Sequence, residues 1–136
     1  DAVGDVAFMR LAEMYLTQAE ALARAGKDSE AQAVFTKFQI TRDPSYVSKG
    51  NIGDALAEEI MNSRRVELWG EGFALFDILR LKKPIIRKNT NYEAIVQFNL
   101  EPESQIMIYR IPQCEMETNK GIKEEDNNPA APQPTV

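Results

Sequence analysis

A chain of 136 residues has room for one ordinary domain or part of one, and two are not expected. A net charge of −5, with acidic residues spread along the chain, offers nucleic acid and anionic membrane surfaces no electrostatic footprint. Histidine is absent, which removes the commonest general base and the commonest metal ligand; catalysis is left to carboxylates, Lys, Tyr or Cys114, and no cofactor or metal is expected.

The chain starts Asp1-Ala2-Val3-Gly4, neither an initiator Met nor a signal peptide, so it is read as a piece of something longer whose N-terminal part carries address and function. No apolar stretch approaches the roughly 20 residues that a membrane-spanning helix requires. From Phe8 the apolar residues fall at Phe8, Leu11, Ala12, Tyr15, Ala19, Leu22 and Ala23, a three-four spacing that predicts one face of a helix ended by Gly26. Asp28 and Ser29, with Gln32 three residues past the Ser, suit the start of a second helix that runs to about Thr41 and turns Ala31, Val34, Phe35 and Phe38 inward. The short connection folds this helix back antiparallel. Asp43-Pro44 closes the pair, residues 1–43, because the residue before Pro is pushed out of the helical region.

After a surface loop, a third helix is expected from Asn51 or Asp54, either of which can cap it, to about Trp69, with Leu56, Ile60 and Leu68 on its inner stripe. Gly70 and Gly72 interrupt it. A short apolar helix from Phe73 to about Leu81 completes a second pair, residues 51–83, and stops before Lys82-Lys83-Pro84. Trp69, Phe73, Phe76 and Leu79 fall at helical spacing among apolar neighbours and are read as core, whereas Tyr46 and Tyr92 lie in polar loops and are freer to meet a ligand. Residues 84–136 read as mostly irregular. Gln105 to Ile111 is the one β-like run, Pro112 opens a helical turn through Glu117, and the polar, Pro-containing end from Lys123 through Asn127-Asn128-Pro129 is expected on the surface. Cys114 has no partner for an internal disulfide and is expected as a half-buried thiol. The expected fold class is therefore mainly α: tetratricopeptide-like antiparallel helix pairs followed by a mostly irregular C-terminal segment with a short strand.

The segment Arg64-Arg65-Val66-Glu67-Leu68-Trp69-Gly70-Glu71-Gly72, followed by Phe76-Asp77-Ile78-Leu79-Arg80, resembles the C-terminal signature of the SusD/RagB family. Upstream, Arg10-Leu11-Ala12-Glu13-Met14-Tyr15-Leu16 with Gln18-Ala19-Glu20-Ala21 is similar to that family's last tetratricopeptide-like helix pair. Downstream, Tyr109-Arg110-Ile111-Pro112-Gln113-Cys114-Glu115 with Asn119 is similar to its closing motif. Two positions depart: Phe73 stands where the family usually has Arg or His, and Asn127-Asn128-Pro129-Ala130 lacks the Gly-Tyr ending.

On physical grounds Arg64, Glu67, Leu68 and Glu71 share one helix face, at i, i+3, i+4 and i+7. Buried charges there must pair. The reading is a structural ion cluster of Arg64, Glu67, Glu71, Asp77 and Arg80, in which Arg64 offers its fork to either Glu and Asp77 pairs with Arg80. A glycosidase pair at Glu67 and Glu71 is disfavoured, because successive turns of one helix do not face each other across a sugar and a neighbouring Arg keeps both ionised.

The resemblance implies a non-catalytic protein that binds glycans or other nutrients and delivers them to a TonB-dependent, SusC-like transporter. It implies a lipid anchor on the outer face of the outer membrane, attached through an N-terminal part outside this chain. No ligand-binding residue is carried over, nucleic acid is not a partner, and this segment alone is expected to bind glycans weakly or not at all. The alternative is a free-standing helical-repeat module for protein–protein interaction.

Overall fold

The computed structural model describes residues 10–132 and Pro134. The chain divides into two compact units, residues 1–74 and 75–136. The described residues are mainly helical, with one two-stranded sheet, and no helix among them is long and apolar enough to cross a membrane.

The first unit is built on α1 (Leu11–Arg24), α2 (Asp28–Ile40) and α3 (Gly53–Glu67). Buried Ala12, Leu16, Ala19 and Ala23 on α1 face Ala31, Phe35 and Phe38 on α2 and Leu56, Ala57 and Ile60 on α3. Alanines on the α1 stripe let the neighbouring axes approach. Phe35, Leu16, Leu56 and Ile60 are the largest fully buried side chains, and burial of each contributes about 1.5–3 kcal/mol. The predicted stripe was partly misplaced: Leu11 is 72% exposed, Leu16 takes the inward position, and Phe8 lies outside the described residues.

Gly26 ends α1 by a backbone mechanism. It adopts φ +73, a left-handed conformation with no Cβ to oppose it, which brings its N–H to the Ala23 carbonyl at 3.0 Å and the Lys27 N–H to the Leu22 carbonyl at 2.9 Å. The expected cap residues do other work. Asp28 accepts the Gly53 N–H at 2.8 Å and Gln32 donates to the Asn51 carbonyl at 2.6 Å, so both tie α2 to the start of α3 and neither caps α2. Asn51 likewise donates to Glu59 at 2.7 Å and does not cap α3.

Between α2 and α3, Asp43 accepts from the Ser45 N–H (2.9 Å) and hydroxyl (2.6 Å) to fix the turn at Pro44. These hydrogen bonds hold the Asp43 carboxyl below its ordinary pKa. Tyr46, expected free in a loop, instead packs edge-on against Phe35, with ring centres 6.1 Å apart, and donates to Glu59 at 3.3 Å. An amphipathic ring beside an open core edge gains more by covering it than by staying hydrated.

A further helix, α4 (Phe73–Arg80), carries the boundary between the units. In the second unit an antiparallel ladder pairs β1 (Ile85–Ile86) with β2 (Asn99–Leu100), in the register Ile85 to Leu100 and Ile86 to Asn99. The strand expected at 105–111 is not one. Gln105–Met107 forms a 3₁₀ turn, and Tyr109 to Ile111 is held by side chains: Asn127 accepts the Ile111 N–H at 2.9 Å and donates to its carbonyl at 3.3 Å, and Asn128 donates to the Tyr109 carbonyl at 2.6 Å. An Asn amide has one donor edge and one acceptor edge, so it satisfies a residue's backbone as a neighbouring strand would. Arg110 completes the tie, donating to the Asn128 carbonyl at 2.7 Å and to Glu124 at 2.5 Å. The short α5 (Gln113–Thr118) follows Pro112 as expected, but Cys114 on it is exposed, since so short a helix covers little of its own surface.

Candidate functional site

Three helix ends of the first unit converge on one carboxylate. Glu67 closes α3, Arg10 immediately precedes α1, and Arg42 lies just past α2. Arg42 grips Glu67 with two parallel bonds, Nε to Oε2 at 2.9 Å and an Nη to Oε1 at 2.6 Å. Arg10 adds a bond to Oε1 at 2.6 Å and a second to the Glu67 backbone carbonyl at 3.2 Å, and it also pairs with Glu71. The hydrogen bonds from Arg42 hold the Glu67 carboxyl below the usual carboxylate range, against the opposing effect of partial burial, and the charges of Arg42 and Arg10 add to them. In return Glu67 raises the Arg42 pKa above its ordinary value.

One turn earlier, Arg64 occupies the place of an apolar residue on the inner stripe of α3, and only 6% of it is exposed. Its guanidinium lies over the Phe73 ring, 5.2 Å from the centre, pairs with Glu13 at 3.7 Å and donates to the Thr17 hydroxyl at 3.3 Å. The Phe73 ring face thus serves the buried cation. In the second unit the buried Asp77 pairs with Arg80 at 2.8 Å, one turn along α4.

Of the five residues grouped from sequence, Glu67 and Glu71 thus share Arg10, Arg64 engages Glu13 and Thr17, and Asp77 engages Arg80. Arg10, Arg42, Glu13 and Thr17 had no local sequence signal, because their partners come from other helices. The arrangement is a clasp that joins helix ends. Glu67 is fixed as an ionised acceptor, and a glycosidic general acid needs the opposite shift.

The aromatic stripe divides. Trp69 is 86% exposed and Phe76 68% exposed, while Phe73 is half-buried. Trp69 and Phe76 are therefore not core in this chain: α3 ends at Glu67, which leaves Trp69 in the turn before Gly70, and Phe76 lies on α4 with most of its surface open. A shallow apolar cleft on the first unit is lined by Leu11, Tyr15, Lys37, Phe38 and Arg42; Lys37 and Arg42 lie over the Tyr15 and Phe38 rings, at 5.5 and 5.4 Å.

The chain from residue 3 to residue 130 matches the model of the SusD family. This chain belongs to the SusD family. Within it, the SusD-like protein P38 of Formosa agariphila is 30% identical over 89 residues, which cover 60% of this chain and 18% of that protein. The crystal structure of a SusD-like carbohydrate binding protein from Bacteroides vulgatus superposes with a TM-score of 0.68 at 28% identity, covering 93% of this chain and 31% of that one. The SusD-family chain described here thus spans less than a third of the length of these relatives. Glu67, Glu71 and the buried Arg64 lie inside the segment that resembles the SusD/RagB signature, while Arg10 and Arg42 reach Glu67 from outside it.

Proposed function

We propose that this chain is the structural C-terminal part of a non-catalytic glycan-binding protein that hands oligosaccharides to a TonB-dependent, SusC-like transporter. The parent protein is held on the outer face of the outer membrane by an N-terminal lipid outside this chain. The observation that carries the proposal is the likeness to a SusD-like carbohydrate binding protein over 93% of the chain, continuous with the family match over 3–130. The clasp supports a holding role, since its charged groups are committed to joining helix ends and its principal carboxylate is kept ionised.

The test uses the parent protein expressed in its native bacterium. Affinity purification should recover a TonB-dependent transporter with it, and the purified parent should retain oligosaccharides without releasing new reducing ends. Recovery of the parent without a transporter, or turnover of a bound glycan, would refute the proposal.

A further inference from the structure

The loop joining β1 to β2 is built around a cation that has no anionic partner among the described residues. Arg87 immediately follows β1, and its guanidinium carbon lies 5.3 Å from the centre of the Tyr92 ring and 5.1 Å from that of Phe98. Both rings attract the guanidinium by cation–π contact and limit where it can sit. Among the described residues, no carboxylate pairs with Arg87 and no acceptor receives its side-chain N–H groups. Every other Arg whose side-chain partners are given above is engaged by a carboxylate. Lys88, next in the chain, is exposed and also has no ion pair among the described residues, and neither cation pairs with Glu93, the loop's carboxylate.

The loop is preorganised. Asn99 accepts the backbone N–H groups of both Arg87 and Lys88, at 3.0 and 3.1 Å. Gln97 donates to the carbonyls of Tyr92 at 2.6 Å and Thr90 at 3.3 Å, Thr90 donates to the Arg87 carbonyl at 2.5 Å, and Asn89 takes a left-handed conformation at φ 60 to close the turn. Tyr92 remains 52% exposed beside the guanidinium. A fork of N–H donors next to an accessible aromatic ring suits an oxyanion, and in a glycan-binding protein an oxyanion carried on a pyranose, the anion taken by the fork and the sugar lying against the ring. Because the fork is already ordered by its rings, binding costs less conformational entropy than a free surface Arg would lose.

We propose that the Arg87–Tyr92 loop is a subsite for an acidic saccharide, a sugar bearing a carboxylate or a sulfate ester, with Arg87 holding the oxyanion, Lys88 adding charge and Tyr92 packing on the ring. This rests on the glycan-binding reading for the class of ligand. A lone subsite of this size binds weakly, so chemical-shift titration of the isotope-labelled 136-residue chain is the suitable measurement. The probes are a galacturonic acid tetrasaccharide, a sulfated galactan tetrasaccharide and uncharged cellotetraose.

The expected result is movement of the Arg87, Lys88 and Tyr92 amides with one or both anionic probes in the millimolar range. Affinity should be about tenfold above that for cellotetraose, the worth of one charge-assisted contact. Arg87→Met, which keeps a chain against the rings and removes the charge, should abolish the preference in a spectrum that is otherwise unchanged, and Arg87→Lys should restore only part of it. Response to the galacturonate alone assigns a carboxylate, and response to the galactan alone a sulfate ester. The proposal is overturned if no probe moves these amides, if the three probes are equivalent, or if the Met variant keeps the preference. A parent protein that binds uncharged glycans and recovers its transporter would still satisfy the wider reading, so the two failures are separable.

Discussion

Arg10 and Glu67 stand 57 positions apart and are joined through both backbone and side chain, the guanidinium donating at 3.2 Å to the Glu67 carbonyl and at 2.6 Å to its carboxylate. The carbonyl belongs to the last residue of α3, where the helix no longer supplies an acceptor's partner. Arg10 therefore caps the end of one helix from the start of another, and Arg42 locks the same carboxylate from the end of a third. Glu67 side-chain atoms are 14% exposed, against 38% and 48% for the two arginines, so the clasp is intermediate between a surface pair and a buried one.

Glu67→Gln should cost about 1–2 kcal/mol, between the values for exposed and buried pairs, measured by urea denaturation at neutral pH. The acid limb gives a second reading. Because the folded Glu67 pKa is lowered, the folded state binds fewer protons than the unfolded state. The stability it confers is present above the unfolded value, about 4.3, and is lost as pH falls through the folded one. The Gln variant should show a shallower loss of stability below that pH; identical acid limbs would exclude the linkage.

Arg64→Ala should be more damaging. It removes a guanidinium that is 6% exposed and leaves Glu13 and the Phe73 face without it. Loss of one partner of a buried pair typically costs about 3–5 kcal/mol, a fall in melting temperature on the order of 10 °C for a chain of this size. A melt within a degree or two of the parent chain would show that the buried cation is not a structural support.

Trp69 is the only tryptophan in the sequence, so its fluorescence reports one site. At 86% exposure the isolated chain should emit at the red-shifted position of a hydrated indole and be quenched freely by acrylamide. Trp69→Ala should change stability by less than about 0.5 kcal/mol, as for surface sites generally. A blue-shifted, shielded emission would return Trp69 to the core.

Cys114, exposed on α5, should react with a thiol-specific disulfide reagent in the native protein at nearly the rate seen after unfolding. Reaction only after denaturant is added would place the thiol inside.

Much of the fold was legible in the residues themselves. The three-four spacing of Ala12, Ala19 and Ala23 and of Ala31, Phe35 and Phe38, with Gly26 between them, specifies two amphipathic helices and their turn, because helix periodicity and the left-handed preference of Gly are local properties of the chain. The helical class and the ordered signature from Arg64 to Arg80 were legible for the same reason. Pairing was decided only in three dimensions. Asp28, Gln32 and Asn51 satisfy local capping rules equally well whether they cap or reach across to another helix, and the choice depends on where α3 docks. Arg10 and Arg42 become the partners of Glu67 only when three helix ends meet, and Arg87 meets both Tyr92 and Phe98 only when the β1–β2 register closes the loop. Asn127, read as part of a polar tail, serves as a strand for Ile111 because an amide side chain can replace a backbone neighbour once the fold brings it there. Periodicity determines which face of an element is apolar; the free energy of bringing distant charges and amides together is set by geometry that no single stretch of sequence contains.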